Sequence, residues 1–190
     1  MKNTEVIRIE WDGPYSLYDI GYIEDKETYT TVNIKLDDSN KDYGIYQVYG
    51  YHPVYGNDVL LYIGKADGQT FAKRLSQERW EFNSDYKNIK LYVGRLFLVD
   101  EEEHPTPNQW SGLIDKTERM LINAHSPARN SSNILTINRD ESKLKEFYNM
   151  RIFNYSCYRC LMPEVSGEMW VKGFDTYKGV YTMDYDTNRK

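Results

Sequence analysis

Alternation of apolar and polar positions starts almost at once. Ile7, Ile9 and Trp11 alternate with Arg8 and Glu10, which predicts a short strand stopped by Gly13-Pro14. Residues 29–36, rich in Thr, Val and Ile, predict a second strand, and the polar run 37–42 a loop. Two apolar, aromatic runs follow at 43–49 and 59–64, separated by a Gly- and Pro-punctuated stretch at 50–58. Strands so close in sequence predict an antiparallel hairpin. Folding it about the middle of its loop sets Tyr46 opposite Tyr62 on one face of the sheet. A third strand is predicted over 89–99, where Ile89, Leu91, Val93, Phe97 and Val99 share a parity that Arg95 interrupts.

Helical spacing appears between and after these strands. Thr70 can cap a helix in which Phe71, Leu75 and Glu78 recur on one face, and Arg74 falls beside them at about 100° per residue. Thr106-Pro107 opens a second helix with an apolar stripe of Trp110, Leu113, Ile114, Leu121 and Ala124, ending near Pro127. Glu118 lies at the border of that stripe, about 80° from its centre. A third helix over 141–149 leads into a strand-rich section over 150–185. The expectation is an α+β domain: a central antiparallel sheet of three strands flanked by helices. One domain spans 1–190, with a core at about 42–135 and terminal extensions, 1–41 and 136–190, packed on it.

Composition narrows the function classes. The 190 residues are 40% hydrophobic and 28% charged, as a folded domain requires. No apolar run approaches the roughly 20 residues of a membrane-spanning helix, and Met1-Lys2-Asn3-Thr4-Glu5 lacks the apolar centre of a secretory signal. Two cysteines point to a reducing cytoplasm. Cys157 and Cys160, a lone pair at x-x spacing, read as buried thiols rather than a zinc site. A net charge of −5 excludes bulk electrostatic attraction to nucleic acid but leaves room for a local basic site. Lys65, Lys73, Arg74, Arg79 and Lys87 gather around the first helix and form such a stripe. Tyrosine, at 18 residues against six phenylalanines, suits both sheet surfaces and polar clefts.

Gly44-Ile45-Tyr46, fifteen residues, then Tyr62-Ile63-Gly64 resembles the two-part signature of the GIY-YIG nuclease superfamily. Arg74 stands where that family carries an arginine on the following helix, Glu118 where it carries a glutamate on a later one. Asn130, twelve residues beyond Glu118, matches its asparagine, with Asn133 as a rival. The resemblance covers about 43–135. It implies hydrolysis of phosphodiester bonds, usually in DNA and most often double-stranded, with one Mg²⁺ or Mn²⁺ ion held by Glu118. In that reading Tyr46, with its pKa lowered by Lys65 or the metal, is the base, and Tyr62 orients the water or a phosphate oxygen. Arg74 meets the charge of the phosphorane, and Asn130 fixes the loop or the phosphate.

Two departures belong with the match. Glu78 stands where many members have a histidine; it can pair with Arg74 and dampen it, or act as a second metal ligand. The spacer between the tripeptides is also long, and its aromatic loop makes Tyr51 and Tyr55, with Lys73 and Arg79, candidate DNA contacts. The roles open to a nuclease are restriction, defence or repair, and a two-fold dimer would suit palindromic cleavage. Two other classes compete: a catalytically silent module of the same fold that binds nucleic acid or protein, and an acidic protein-interaction domain.

Overall fold

The computed structural model describes residues 5–21, 35–78, 88–98, 107–133 and 147–169. Its elements are β1 (Glu5–Tyr15), a 3-10 turn (Tyr18–Ile20), β2 (Gly44–His52), β3 (Gly56–Ala66), α1 (Phe71–Ser76), β4 (Lys90–Leu98), α2 (Pro107–His125), β5 (Met150–Ser156) and β6 (Glu164–Ser166). The architecture is α+β, but among the described residues the sheet has six strands, not three, in the order β3-β2-β4-β1-β5-β6. The predicted trio β3-β2-β4 forms one end of it. Strand β1 then pairs antiparallel with β4 and parallel with β5, and β6 closes the far edge. Both terminal segments thus contribute strands to the sheet itself.

Strand β1 does not stop at Gly13-Pro14. A register shift between Asp12 and Tyr15 lets it continue until Tyr15 faces Leu91. The hairpin register also departs from a simple fold about the loop centre. At the tip His52 faces Gly56, as that midpoint requires, but two irregularities along β3 each move the register by one residue. Tyr46 therefore faces Gly64, and Tyr62 faces Val48. Because the side-chain period is two, a shift of two residues leaves Tyr46 and Tyr62 on the same face, now diagonal neighbours with ring centroids 6.1 Å apart.

Each face of the sheet carries its own apolar cluster. On one side Ile9, Trp11, Ile45 and Ile63 pack with Trp110, Ile114 and Leu121 of α2. On the other, Tyr46, Val48, Leu91 and Val93 pack with Phe71 and Leu75 of α1 and with Leu17 and Ile20. Leu113 and Ala124 only border the first cluster, whereas Thr117, a polar residue omitted from the predicted stripe, is fully buried. Arg95 does not leave its face of β4 open: its Nη2 donates to Asp42 Oδ1 at 2.6 Å, and Asp42 is itself buried. The predicted strand over 29–36 and helix over 141–149 lie largely outside the described residues, as do 170–185. No helix among the described residues is long and apolar enough to cross a membrane.

Candidate active site

The glycines of the two tripeptides have distinct physical causes. Gly44 adopts φ 137°, and a Cβ there would lie 2.3 Å from the carbonyl oxygen of Gly94 on β4. Gly64 has no such backbone demand. A Cβ on it would meet Tyr46 Cζ and its hydroxyl at 2.5 Å and Tyr62 Cε1 at 2.7 Å. The bare backbone of Gly64 is the floor on which the Tyr46 ring lies, which explains why glycine and tyrosine stand opposite one another.

Helix α1 delivers Arg74. Thr70 is its cap, accepting from Lys73 N–H at 3.3 Å, and Phe71 and Leu75 bury its inner face. The helix is shorter than its pattern suggested and ends at Ser76, so Glu78 sits in the turn that follows, its N–H donating to Leu75 O at 3.2 Å. From there Glu78 Oε1 reaches Arg74 Nη1 at 2.6 Å and accepts from the Tyr46 hydroxyl at 3.2 Å.

Strand β3 is an edge strand, so groups from both faces meet around its outer side. Tyr62 projects to the α1 face and Lys65, of opposite parity, to the α2 face. Glu118 on α2 is largely buried and lies 3.6 Å from Lys65 Nζ; Asp115, one turn earlier, pairs directly with the same ammonium. Asp115 also holds Arg119 at 3.6 Å. The Glu118 charge also acts on Tyr62 across the strand edge.

The proton affinities follow from burial and neighbours. Burial pushes the Tyr46 phenol well up; the Glu78 carboxylate adds to this, and Arg74 opposes it. Tyr62 is also raised, by burial first and then by Glu118 and Glu78. Burial raises Glu118 too, with Lys65 pulling the other way. Lys65 is held up despite its burial, because its hydrogen bond to Asp115 and the fields of Glu118 and Asp115 favour the ammonium. The protein's own groups therefore drive Tyr46 away from the phenolate that a base requires.

Asn130 is engaged with backbone. Its Oδ1 accepts from Ile63 N–H and its Nδ2 donates to Ile63 O, both at 2.9 Å. With Ala128 N–H on Leu60 O at 3.1 Å and Arg129 N–H on Leu61 O at 2.8 Å, this segment covers the free edge of β3. Of the two roles open to Asn130, the geometry supports fixing the loop. Lys73 is exposed, as are Tyr51 and Tyr55 near the hairpin tip, while Arg79 and Lys87 lie outside the described residues. Cys157 and Cys160 are exposed free thiols rather than core residues. Sequence reading missed Asp115; the signal was its i,i+3 spacing to Glu118 on the same helix.

Among the described residues no group of three or more His, Cys, Asp or Glu side chains stands ready to hold a metal. The chemistry of the donors present still suits a hard cation. Mg²⁺ commonly takes one or two carboxylates and completes its shell with water and substrate phosphate, and Glu118 with Asp115 offers that set. No family model, curated protein or solved structure matches the chain.

Proposed function

We propose that this protein is a GIY-YIG-type endonuclease, hydrolysing phosphodiester bonds of DNA with the help of one Mg²⁺ or Mn²⁺ ion. The observation that carries the reading is convergence. Tyr46 and Tyr62 stack with ring centroids 6.1 Å apart, Arg74 and Tyr46 share Glu78 Oε1, and Glu118 lies 3.6 Å from Lys65 on the same strand as Tyr62.

Each residue has work suited to its surroundings. Arg74 presents paired N–H donors to the phosphoryl oxygens as negative charge builds on them. The Tyr46 hydroxyl, which donates to Glu78 when no substrate is bound, is placed to hold the attacking water against the phosphoryl group. Tyr62, stacked on Tyr46, orients the same water. Glu118 would hold the cation, with Lys65 and Asp115 setting the charge around it. When bound there, a divalent ion would supply Lewis acidity to the leaving oxygen. Asn130 keeps β3, and with it Tyr62 and Lys65, in register.

The test is nicking of supercoiled plasmid at low salt with Mg²⁺ or Mn²⁺. Wild type cleaves; Tyr46→Phe and Arg74→Ala fall by about 10²–10³-fold, the usual loss on removing one transition-state donor. Glu118→Ala loses the metal-dependent rate. Near-normal cleavage in all three would sink the assignment. DNA binding without cleavage, insensitive to metal and to Glu118, would support the silent module instead, a reading favoured by the carboxylate already seated on Arg74 and Tyr46.

A further inference from the structure

We infer that Glu78 occupies the seat of a phosphate oxygen, so that the site is closed to free phosphate and opens only to a ligand with other contacts to hold it. The inference rests on the nuclease reading for the identity of that ligand, but its geometry stands alone. One carboxylate oxygen, Oε1, takes both the Arg74 guanidinium at 2.6 Å and the Tyr46 hydroxyl at 3.2 Å. Those are the donors that an anionic phosphoryl oxygen would use, and a carboxylate oxygen has the same charge and accepting capacity.

Glu78 is held loosely enough to yield. Its side chain is 32% exposed and Arg74 is 28% exposed, so the carboxylate can turn to water without opening the core. Beneath the pair the seat is rigid: Tyr46 is fully buried and Phe71 and Leu75 anchor the arginine's helix. The displaced element is therefore the glutamate, and the cradle itself is preformed.

Displacement lowers the affinity of every phosphate by the same factor. For a lone phosphate, whose only anchor is this cradle, that factor removes most of the binding. For a duplex, whose backbone contacts extend beyond the cradle, it is one charge among many. The ratio of affinities is unchanged, but at a given concentration small phosphates fall below occupancy while a duplex held by many contacts stays bound, so Glu78 limits inhibition by inorganic phosphate and mononucleotides.

The experiment titrates inorganic phosphate, in EDTA and at low salt, into wild type, Glu78→Gln, Glu78→Ala and Glu78→Gln/Arg74→Ala by calorimetry. Both single variants bind phosphate about tenfold tighter than wild type, a change of about 1.4 kcal/mol, and the double variant loses the gain. Equal affinity in wild type and both single variants overturns the inference, as does failure of every protein to bind. Plasmid nicking by the same samples separates the two readings. If none cuts but the phosphate gain is present, the nuclease reading falls and the closed seat stands. If wild type cuts, phosphate affinity is unchanged and Glu78→Gln loses kcat, the closed seat falls and Glu78 belongs to the chemistry.

Discussion

Replacing Gly64 with alanine tests the floor under Tyr46 directly. The added methyl would lie 2.5 Å from Tyr46 Cζ and its hydroxyl, where ordinary contact begins at 3.4 Å. The ring must retreat by about 0.9 Å, the difference of those two distances. Tyr46 has nowhere to go: it is fully buried and packs with Val48, Phe71, Leu75 and Val93. Overpacking of this kind costs about 1–3 kcal/mol, while the stiffer unfolded chain gives back about 0.4–1 kcal/mol. A net loss of about 1–2 kcal/mol, with a urea slope of about 2 kcal/mol/M, lowers the unfolding midpoint by roughly 0.5–1 M. The decisive comparison is a cycle with Tyr46→Ala. Once the ring is gone the methyl has room, since Tyr62 is only partly buried and can swing aside, so Gly64→Ala becomes neutral or stabilising there. Additivity within about 0.5 kcal/mol would refute the contact argument. On the proposed nuclease reading, cleavage by the folded Gly64→Ala protein also falls by about 10²-fold, as misplacement of a reacting group by about 1 Å predicts.

Three further outcomes follow from the contacts described. Asn130→Ala strips both hydrogen bonds from Ile63, costing about 1–3 kcal/mol and raising amide exchange at Ile63 about tenfold or more; unchanged exchange would dismiss the edge-holding role. Asp42→Ala leaves Arg95 half-buried without its close partner and costs about 3–5 kcal/mol, read as a fall in the urea midpoint. His125 is held neutral, its Nδ1–H on Leu121 O and its Nε2 accepting from Met162 N–H, both at 2.8 Å, and burial keeps it below the ordinary imidazole range. A depressed folded pKa means that the unfolded chain takes the proton more readily. His125 therefore contributes full stability above about pH 6.5, and this is lost as pH falls through its folded value. Urea midpoints of wild type and His125→Gln at about pH 7.5 and pH 5.5 check this: the acid-induced fall should shrink in the variant.

What could be read from sequence was what depends on neighbours in sequence. Thr70 as cap, Pro107 as the first residue of α2 and the β2–β3 hairpin are local arrangements, and the structure has each of them. The hairpin's final register was not legible, because irregularities in β3 depend on how its bulged residues pack. The place of β1 was less legible still. Its partners, β4 and β5, lie far along the chain, and nothing in the alternation of Ile7, Ile9 and Trp11 names them. For the same reason the backbone contacts of Asn130 were hidden: an asparagine can serve a free strand edge only once topology has decided which strand is at the edge. The gathering of Tyr46, Arg74 and Glu78 was open to inference because two short segments supply it. The Lys65–Asp115–Glu118 cluster needed the docking of α2.

The position of β1 has a consequence for how the chain is made. Ile7 sits between Leu98 on one side and Ile152 on the other, so β1 leaves the ribosome well before β5, the strand that covers its outer edge. At about 5–20 residues per second, β1 spends several seconds or more with its outer edge unpaired, a state in which strands of neighbouring chains can add to it. A fragment ending near residue 135 would remain in that state permanently, with Ile7 and Ile9 uncovered on the side that β5 protects. The C-terminal segment thus acts as the closing seam of the sheet, and a fragment cut free of it would be prone to pair with copies of itself.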